Sequence, residues 1–193
     1  MQTIEFYNEQ SDLFYKQYLS QPAEKVHSSW LHEFLPVSGQ VLDVGAGVGR
    51  DAKWLAELGF DVVAVEPAQG LRQHGQTLTE ELSVYWLEDV LPELSRTYQL
   101  QAKFDLILLS AVWMHIPSSQ RERAFRNLSN LLKPSGRMVI SLRHGDSPDA
   151  RRMYPVSVDE ISTYAQQQGL SLKAVISDDD KLNRKEVHWE TVV

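Results

Sequence analysis

The chain has 193 residues, which is typical of one domain, and its 42% hydrophobic and 23% charged residues exclude disordered, collagen-like and coiled-coil proteins. The net charge of −7 disfavours nucleic-acid partners, and the lack of cysteine excludes disulfides, zinc–cysteine sites, iron–sulfur clusters and thiol nucleophiles. The most apolar stretch, residues 106–114, is about half of a membrane span, so we expect a soluble protein without a membrane partner. The lack of cysteine fits a reducing compartment, and we expect a cytoplasmic location.

The first predicted element is a helix that precedes the first strand and ends at Pro36. Its apolar residues recur at spacings of three and four: Ala23, Val26, Trp30 and Phe34. The segment before it is rich in aromatic residues: Phe6, Tyr7, Phe14, Tyr15 and Tyr18. Such a stripe either packs on the domain or covers a binding edge.

Five short apolar runs predict strands that are buried on both faces. They are residues 41–44, 61–65, 84–87, 104–109 and 138–142. None has the polar alternation of a half-exposed strand, which favours a parallel sheet covered by helices. A helical pattern over residues 48–58 ends at Gly59. Weaker helical patterns cover 71–81 and 90–100, where Gly75 and Pro92 interrupt them.

Two capping boxes predict the remaining helices. Ser119 and Glu122 open a helix that runs to residue 132, and Ser157 and Glu160 open one that ends at Gly169. Segments 170–177 and 187–193, separated by a turn-rich stretch, predict an antiparallel pair at one sheet edge. Strands that alternate with helices favour a doubly wound α/β sheet.

A glycine-rich turn follows the first strand, the usual ligand-binding position in open α/β sheets. Asp43 is followed by Gly45, Gly47 and Gly49 at alternate positions. The dinucleotide fingerprint would need a third glycine at position 50, which is Arg50. A carboxylate beside the turn disfavours a phosphate and suits a ligand that carries ammonium and sulfonium groups.

The second strand ends in Glu66, 21 residues after Gly45. A carboxylate there can accept hydrogen bonds from both hydroxyls of a ribose. Pro67 follows as a suitable first residue of a helix. The alternative is a solvated acid at a strand end.

Together these motifs resemble those of class I S-adenosylmethionine-dependent methyltransferases. The matching segments are 41–49, 65–67, 87–90, 104–110, 113–117 and 131–137, in the family's order. The resemblance implies one α/β domain with a doubly wound seven-stranded sheet, mostly parallel, whose C-terminal strand is antiparallel. It also implies a helical cap or lid over residues 1–36, a cofactor-binding core over 37–193, and S-adenosylmethionine as cofactor with S-adenosylhomocysteine as product.

The resemblance assigns roles to the residues that match the family's motifs. Asp43 would orient the methionine amino group, and Glu66 would hold the ribose. Asp89 would accept from the adenine amino group, and the Val90 N–H would donate to the adenine ring. Glu88 could take the part of Asp89, or either acid could cap the next helix. The implied cofactor-binding residues are Asp43, Gly45, Ala46, Gly47, Gly49, Glu66, Pro67, Glu88, Asp89, Val90, Ser110 and Ala111.

The acceptor side is less constrained by sequence. His115 is the candidate general base, with a packing or capping histidine as the alternative. The predicted substrate pocket consists of Tyr7, Tyr15, Trp113, Arg143 and His144. There Arg143 would bind an anionic acceptor that stacks on Trp113, unless Arg143 pairs with a local acid such as Asp146 or Asp149.

Three functions remain for the chain. The first is methyl transfer from S-adenosylmethionine to a small-molecule acceptor, without a nucleic-acid partner. The second, an NAD(P)-dependent oxidoreductase, is disfavoured by Arg50, and the third is a catalytically silent cofactor-binding module. The histidine spacings lack a metal-site signature, so we predict no metal.

Overall fold

The computed structural model describes residues 2–180, 184 and 186–193. Its helices are α1 (Gln2–Glu9), α2 (Ser11–Leu19), α3 (Ala23–Val26), α4 (Leu31–Phe34), α5 (Arg50–Glu57), α6 (Gln69–Leu78), α7 (Ser95–Gln99), α8 (Ser118–Leu131) and α9 (Val158–Gln167), with a 3₁₀ turn at Trp113–His115. Its strands are β1 (Gln40–Val44), β2 (Asp61–Val65), β3 (Val84–Leu87), β4 (Phe104–Leu109), β5 (Leu132–His144), β6 (Val175–Asp179) and β7 (His188–Val192).

The strands form one seven-stranded sheet in the order β3-β2-β1-β4-β5-β7-β6. All neighbouring pairs from β3 to β5 are parallel, whereas β7 runs antiparallel to both β5 and β6. The topology therefore confirms the predicted doubly wound sheet and its antiparallel C-terminal strand.

Both faces of the central strands are buried, which explains their mostly apolar runs, although Asp43 in β1 and Asp105 in β4 are polar. In β4, Ile107 and Leu109 pack with α8 and α9 residues on one face, while Leu106 and Leu108 pack with α4 and α5 residues on the other. Side chains alternate between the faces of a strand, so a strand covered on both sides is apolar at successive positions and not at every second one.

The helix predicted to end at Pro36 is instead two short helices, α3 and α4. Between them His27 leaves helical geometry, and its buried ring pairs with Asp51 at 3.1 Å. Ala23, Trp30 and Phe34 are buried as the periodicity predicts. This buried contact lies at the break, which local periodicity alone does not reveal.

The first predicted capping box is wrong and the second is half formed. Helix α8 begins at Ser118, so Ser119 lies inside its first turn and not at the N-cap. The N-cap residue is Pro117, which has no side-chain group to accept a hydrogen bond. At α9 the Ser157 hydroxyl accepts the Glu160 N–H at 3.2 Å as predicted. The Glu160 carboxylate does not bond back to the cap, because it pairs with Arg121 at 2.9 Å.

Two further differences concern the lengths of elements. In the weak 90–100 pattern only α7 is helical, and β5 extends from 132 to 144 with a register shift opposite Phe104–Leu106.

Among the described residues, no helix is both long enough and apolar enough to cross a membrane.

Candidate functional site

A cavity of about 640 Å³ opens at the carboxyl ends of β1, β2 and β4. It brings together many of the residues that the sequence predicted: Tyr7, Gly45, Ala46, Gly47, Glu66, Pro67, Asp89, Val90, Ser110, Ala111 and His115. Gln120 and Tyr154 also line it, although no motif marks them. Their side chains reach the cavity from α8 and from the 145–157 connection, a placement that only tertiary structure determines.

The three glycines of the turn have different tasks, although all have positive φ, at +72°, +56° and +82°. A Cβ on Gly45 would lie 2.5 Å from Val112, and one on Gly49 would lie 3.0 Å from both Gly75 and Trp86. At Gly47 the nearest atom would be 3.9 Å away, in Tyr18. Gly47 therefore leaves room for a ligand, whereas Gly49 serves close packing and does not line the cavity.

Glu66 is buried at the end of β2 and holds the turn together. One carboxylate oxygen accepts the Gly47 N–H and the other accepts the Ala68 N–H, both at 2.8 Å. Burial raises the pKa of Glu66 to about 7, even though both hydrogen bonds oppose the rise. Each oxygen retains a lone pair that can accept from a ligand hydroxyl.

A second buried carboxylate lies just before the turn. Asp43 is 1% exposed, and its Oδ2 has no hydrogen-bond partner within the described part of the chain. Burial raises the pKa of Asp43, and the neighbouring Asp51 carboxylate adds to the rise. Although burial opposes it, Arg50 and His27 hold the pKa of Asp51 below its ordinary value. Asp43 does not itself line the cavity, yet its orphaned oxygen fits a positively charged ligand group nearby.

The structure separates the two acids that follow β3. Asp89 is buried against the cavity and accepts the Thr97 N–H and hydroxyl at 2.8 and 2.9 Å. Its other oxygen accepts the Val90 N–H at 2.9 Å, the donor that the resemblance assigned to the adenine ring. Glu88 is exposed and pairs with Arg72 at 3.1 Å. Of the two, only Asp89 lies where it can contact a ligand.

Above the turn, His115 is part of a hydrogen-bonded chain. Its Nδ1 lies 2.8 Å from the Arg152 carbonyl and therefore carries the proton. Its Nε2 then accepts from the Tyr7 hydroxyl at 3.2 Å, and that oxygen accepts an Arg151 N–H at 3.0 Å. Burial lowers the pKa of His115, which favours the neutral imidazole that this chain requires.

Arg151 fastens the N-terminal helices to this network. It forms a bidentate pair with Asp149, with both distances 2.7 Å. Its guanidinium also lies 4.8 Å from the centre of the Phe14 ring, within cation–π range. Tyr7 and Arg151 are 144 residues apart, so no local pattern could reveal the contact.

Several predicted substrate-pocket residues lie elsewhere. Trp113 is fully buried, packs against Phe125 and directs its indole N–H towards Glu160, so the prediction that it stacks on an acceptor is wrong. The reason is that the 3₁₀ turn after β4 directs Trp113 into the core. Tyr15 stacks on His74 at 4.6 Å, outside the cavity. Arg143 lines a smaller neighbouring cavity of about 150 Å³.

His144 also lies outside both cavities. It pairs with Glu190 at 2.8 Å, and its ring stacks on that of His188, with centroids 4.3 Å apart and planes 8° from parallel. These three side chains are close enough together to suggest a metal site. However, imidazole lone pairs lie in the ring planes, and two stacked parallel rings cannot direct them at one ion. The absence of a metal stays a prediction.

The chain resembles methyltransferases in sequence. It is 24% identical over 126 residues to an uncharacterized methyltransferase of Alkaliphilus oremlandii, covering 65% of this chain and 56% of the relative. It is 31% identical over 104 residues to a ubiquinone biosynthesis O-methyltransferase of Rickettsia felis, covering 53% and 40%. The chain thus spans about half the length of the curated relatives that it matches.

Solved structures share the fold. A Burkholderia thailandensis 1,6-didemethyltoxoflavin-N1-methyltransferase, crystallised with 1,6-didemethyltoxoflavin and S-adenosylhomocysteine, superposes with a TM-score of 0.78 at 21% identity, over 98% of this chain and 84% of that one. A magnesium protoporphyrin IX methyltransferase from Synechocystis with bound S-adenosylmethionine gives 0.64 at 16% identity, over 97% and 79%. Residues 15–172 match the family described as "Methyltransferase domain", and the chain belongs to that family.

Proposed function

We propose that this chain binds S-adenosylmethionine and transfers its methyl group to a small molecule. The observation that carries the proposal is the 640 Å³ cavity, in which Gly47 leaves space for a ligand beside the buried Glu66. Its volume lies within the range of small-molecule and cofactor sites. Membership of the methyltransferase family supports the same conclusion.

The residues present fit this cofactor at each of its parts. Asp43 does not line the cavity, so its orphaned Oδ2 would act on the charged methionine ammonium through water. Glu66 would accept the ribose hydroxyls, and the Asp89–Val90 segment would border the adenine. Ser110 and Ala111 would line the methionine side at the end of β4.

S-adenosylmethionine supplies a methyl group on an electrophilic sulfonium, so the chain has mainly to align the acceptor with it and exclude water. Where the acceptor carries a proton, we propose that His115 removes it through Tyr7. The Tyr7 hydroxyl gives its proton to Nε2 and takes the acceptor's proton in exchange, leaving a methylated product and an imidazolium. The Arg151 N–H to Tyr7 stabilises the phenolic oxygen during this exchange.

Helices α1 and α2, called here the N-terminal lid, would cover the bound cofactor. Gln2, Thr3, Ile4 and Tyr7 of α1 line the cavity together with Tyr18 of α2. The lid contacts the core through the Asn8 side chain, which accepts the Gly70 N–H at 2.9 Å, and through Asp12, which pairs with His74 at 3.0 Å. Tyr7 and Phe14 also contact Arg151, and Phe14 packs with Val48, Ala68 and Leu71, so opening for ligand exchange would break apolar as well as polar contacts.

The alternative functions are weaker. Arg50, which replaces the third glycine of a dinucleotide site, is committed to Asp51 at 2.6 Å. A silent binding module shares the cofactor site and differs only in turnover. A cytoplasmic location and the absence of nucleic-acid partners stay predictions from composition.

The test is isotope transfer. The purified protein is incubated with methyl-labelled S-adenosylmethionine and a metabolite extract, and mass spectrometry locates the label. We expect the label in a small molecule in proportion to S-adenosylhomocysteine formed. Binding of S-adenosylhomocysteine without any labelled product would favour the silent module. Binding of NADH but of neither sulfur ligand would favour the oxidoreductase.

A further inference from the structure

A second cavity of about 150 Å³ adjoins the first. Five residues line both and form the boundary between them: Tyr7, Tyr18, Arg50, Ser110 and Ala111. A cavity of this volume accommodates a group the size of a benzene ring. Because Ser110 and Ala111 are proposed to line the methionine side, a molecule in the second cavity would face the methyl group.

The second cavity is rich in arginine. Four arginines line it, against two aspartates, Asp178 and Asp180. Three of the four have carboxylate partners: Arg50 with Asp51 at 2.6 Å, Arg151 with Asp149 at 2.7 Å, and Arg184 with Asp180 at 2.5 Å. Within the described residues, no carboxylate lies at ion-pair distance from the fourth, Arg143.

Among the described residues, Arg143 donates its hydrogen bonds to neutral groups only. Its Nη1 donates to the Gly145 carbonyl at 2.7 Å and its Nη2 to the Asp146 carbonyl at 2.9 Å. Its Nε is buried without a hydrogen-bond partner in the described part of the chain, and the residue is 5% exposed. The carbonyls therefore orient the guanidinium without neutralising it.

The surroundings make this charge costly, which points to a missing partner. Burial lowers the pKa of Arg143, and the nearby Arg184 and Arg151 lower it further, while the Asp180 and Asp149 carboxylates oppose this fall without reaching ion-pair distance from Arg143. A buried cation is normally paired with an anion. The alternative partners named from sequence, Asp146 and Asp149, do not supply it: Asp146 offers its carbonyl, and the Asp149 carboxylate binds Arg151.

The other walls restrict the ligand's shape. Met114, Met153 and Val26 provide apolar surface, and Trp189 closes the cavity with its indole N–H donating to Asp180 at 2.9 Å. Thioether and aliphatic groups suit the flat apolar body of a ring. An anionic group on that ring would meet the guanidinium of Arg143, which lines the cavity.

We propose that the second cavity binds the methyl acceptor, and that the acceptor is a ring-sized molecule with a carboxylate or similar anionic group held by Arg143. Its role as acceptor site rests on the proposed function, whereas anion binding does not. The two are therefore separable by experiment.

The test measures binding of benzoate, with benzamide as a neutral molecule of the same shape, by isothermal titration calorimetry with and without S-adenosylhomocysteine. We expect wild-type protein to bind benzoate at least about tenfold more tightly than benzamide, since hydrogen bonds to charged groups are worth about 1.5–3 kcal/mol each. Arg143→Gln should lose that preference and keep its affinity for S-adenosylhomocysteine. Arg126→Gln, an exposed position on α8, is the matched control and should behave as wild type.

Two results would overturn the inference: no binding of benzoate to wild type, or equal binding of benzoate and benzamide. The comparison of benzoate with benzamide on wild-type protein tests the inference even if Arg143→Gln fails to fold. Arg143→Lys, which keeps the charge, should retain the preference for benzoate at lower affinity. Benzoate binding without S-adenosylhomocysteine binding would contradict the proposed function and leave the anion site standing. S-adenosylhomocysteine binding without benzoate binding would contradict the anion site and leave the proposed function standing.

Discussion

Glu66 combines two tasks at one position. Its carboxylate accepts two backbone N–H groups, from the glycine turn and from the start of α6, and it lies where ribose hydroxyls would bind. Glu66 is 6% exposed, so the alternative interpretation of a solvated acid at the strand end is wrong. Removing the whole side chain would therefore disturb the turn as well as a ligand.

Glu66→Gln is the more informative substitution. The amide keeps one oxygen acceptor but turns an NH₂ group towards a backbone N–H and removes the charge. We expect affinity for S-adenosylhomocysteine to fall about 10- to 100-fold, the equivalent of one hydrogen bond to a charged group. Calorimetry measures this, with the exposed Glu57→Gln as control. An unchanged affinity in a folded variant would place the ribose elsewhere.

Glu66 should also make folding stability depend on pH. Its pKa is raised from 4.5 to about 7 in the folded state, so the folded protein holds this proton more tightly than the unfolded chain does. The resulting stabilisation is complete below about pH 4.5 and is lost as pH rises through 7, by on the order of 3 kcal/mol. Urea unfolding from pH 5 to 8 should show this decline in wild type and a smaller one in Glu66→Gln. Parallel curves for the two proteins would contradict the assignment.

At the scale of elements, α6 lies against β3 through a glycine. A Cβ on Gly75 would lie 2.2 Å from the Trp86 ring, whose indole N–H is itself bonded to Thr79 at 2.9 Å. The sequence suggests that Gly75 weakens the helix, whereas the packing requires a glycine there. Helix propensity and packing thus favour opposite residues at this position.

Gly75→Ala tests which of the two effects is larger. Alanine gains about 1 kcal/mol of helix propensity, and overpacking costs about 1–3 kcal/mol or more when the neighbour is a fixed ring. We expect the free energy of unfolding to fall by about 1–2 kcal/mol, measured by urea denaturation. Gln76→Ala, at an exposed position of the same helix, should leave it nearly unchanged. A stabilised Gly75→Ala protein would mean that Trp86 can move.

Arg151 links the N-terminal lid to the rest of the domain. Arg151 joins Tyr7 and the Phe14 ring to Asp149, on the connection that follows β5. Arg151→Gln should accelerate amide hydrogen exchange over residues 2–19 about tenfold and leave β1 and β4 unchanged, because the core does not use this contact. Hydrogen-exchange mass spectrometry measures both regions. Equal acceleration in the core would indicate global destabilisation instead.

At the scale of the whole molecule, the cofactor cavity lies between the lid, the glycine turn and the end of β4, so a ligand there bridges separate parts of the chain. At 100 times its dissociation constant, such a ligand stabilises the native state by about 2.7 kcal/mol. We expect S-adenosylhomocysteine to raise the Tm by roughly 5–10 °C in differential scanning calorimetry. NADH at the same concentration should leave it unchanged, and the opposite pattern would reverse the assignment.

The sequence by itself determined the parts of this protein that depend on local chemistry. Strands buried on both faces are mostly apolar, so β1, β2 and β4 were visible as runs. The run of β3 was visible too, but the prediction that it is buried on both faces is wrong, because none of its residues is buried and Tyr85 is 57% exposed. The turn after β1 has positive φ at three positions, so Gly45, Gly47 and Gly49 indicated the turn beside the cavity. Glu66 was predicted to lie beside that turn from its place at the end of β2. These features are predictable because their residues lie close together in the sequence or at the ends of parallel strands, which a sheet places side by side.

Tertiary structure alone decided what depends on contacts across the chain. The direction of Trp113 into the core, the break between α3 and α4 at His27 and the choice of Asp89 over Glu88 all follow from packing with distant segments. The same holds for the link between Tyr7, His115 and Arg151, and for the position of Arg143, which has no carboxylate at ion-pair distance in the described part of the chain. Hydrogen bonds and ion pairs join atoms that folding brings together, and no local periodicity records that proximity.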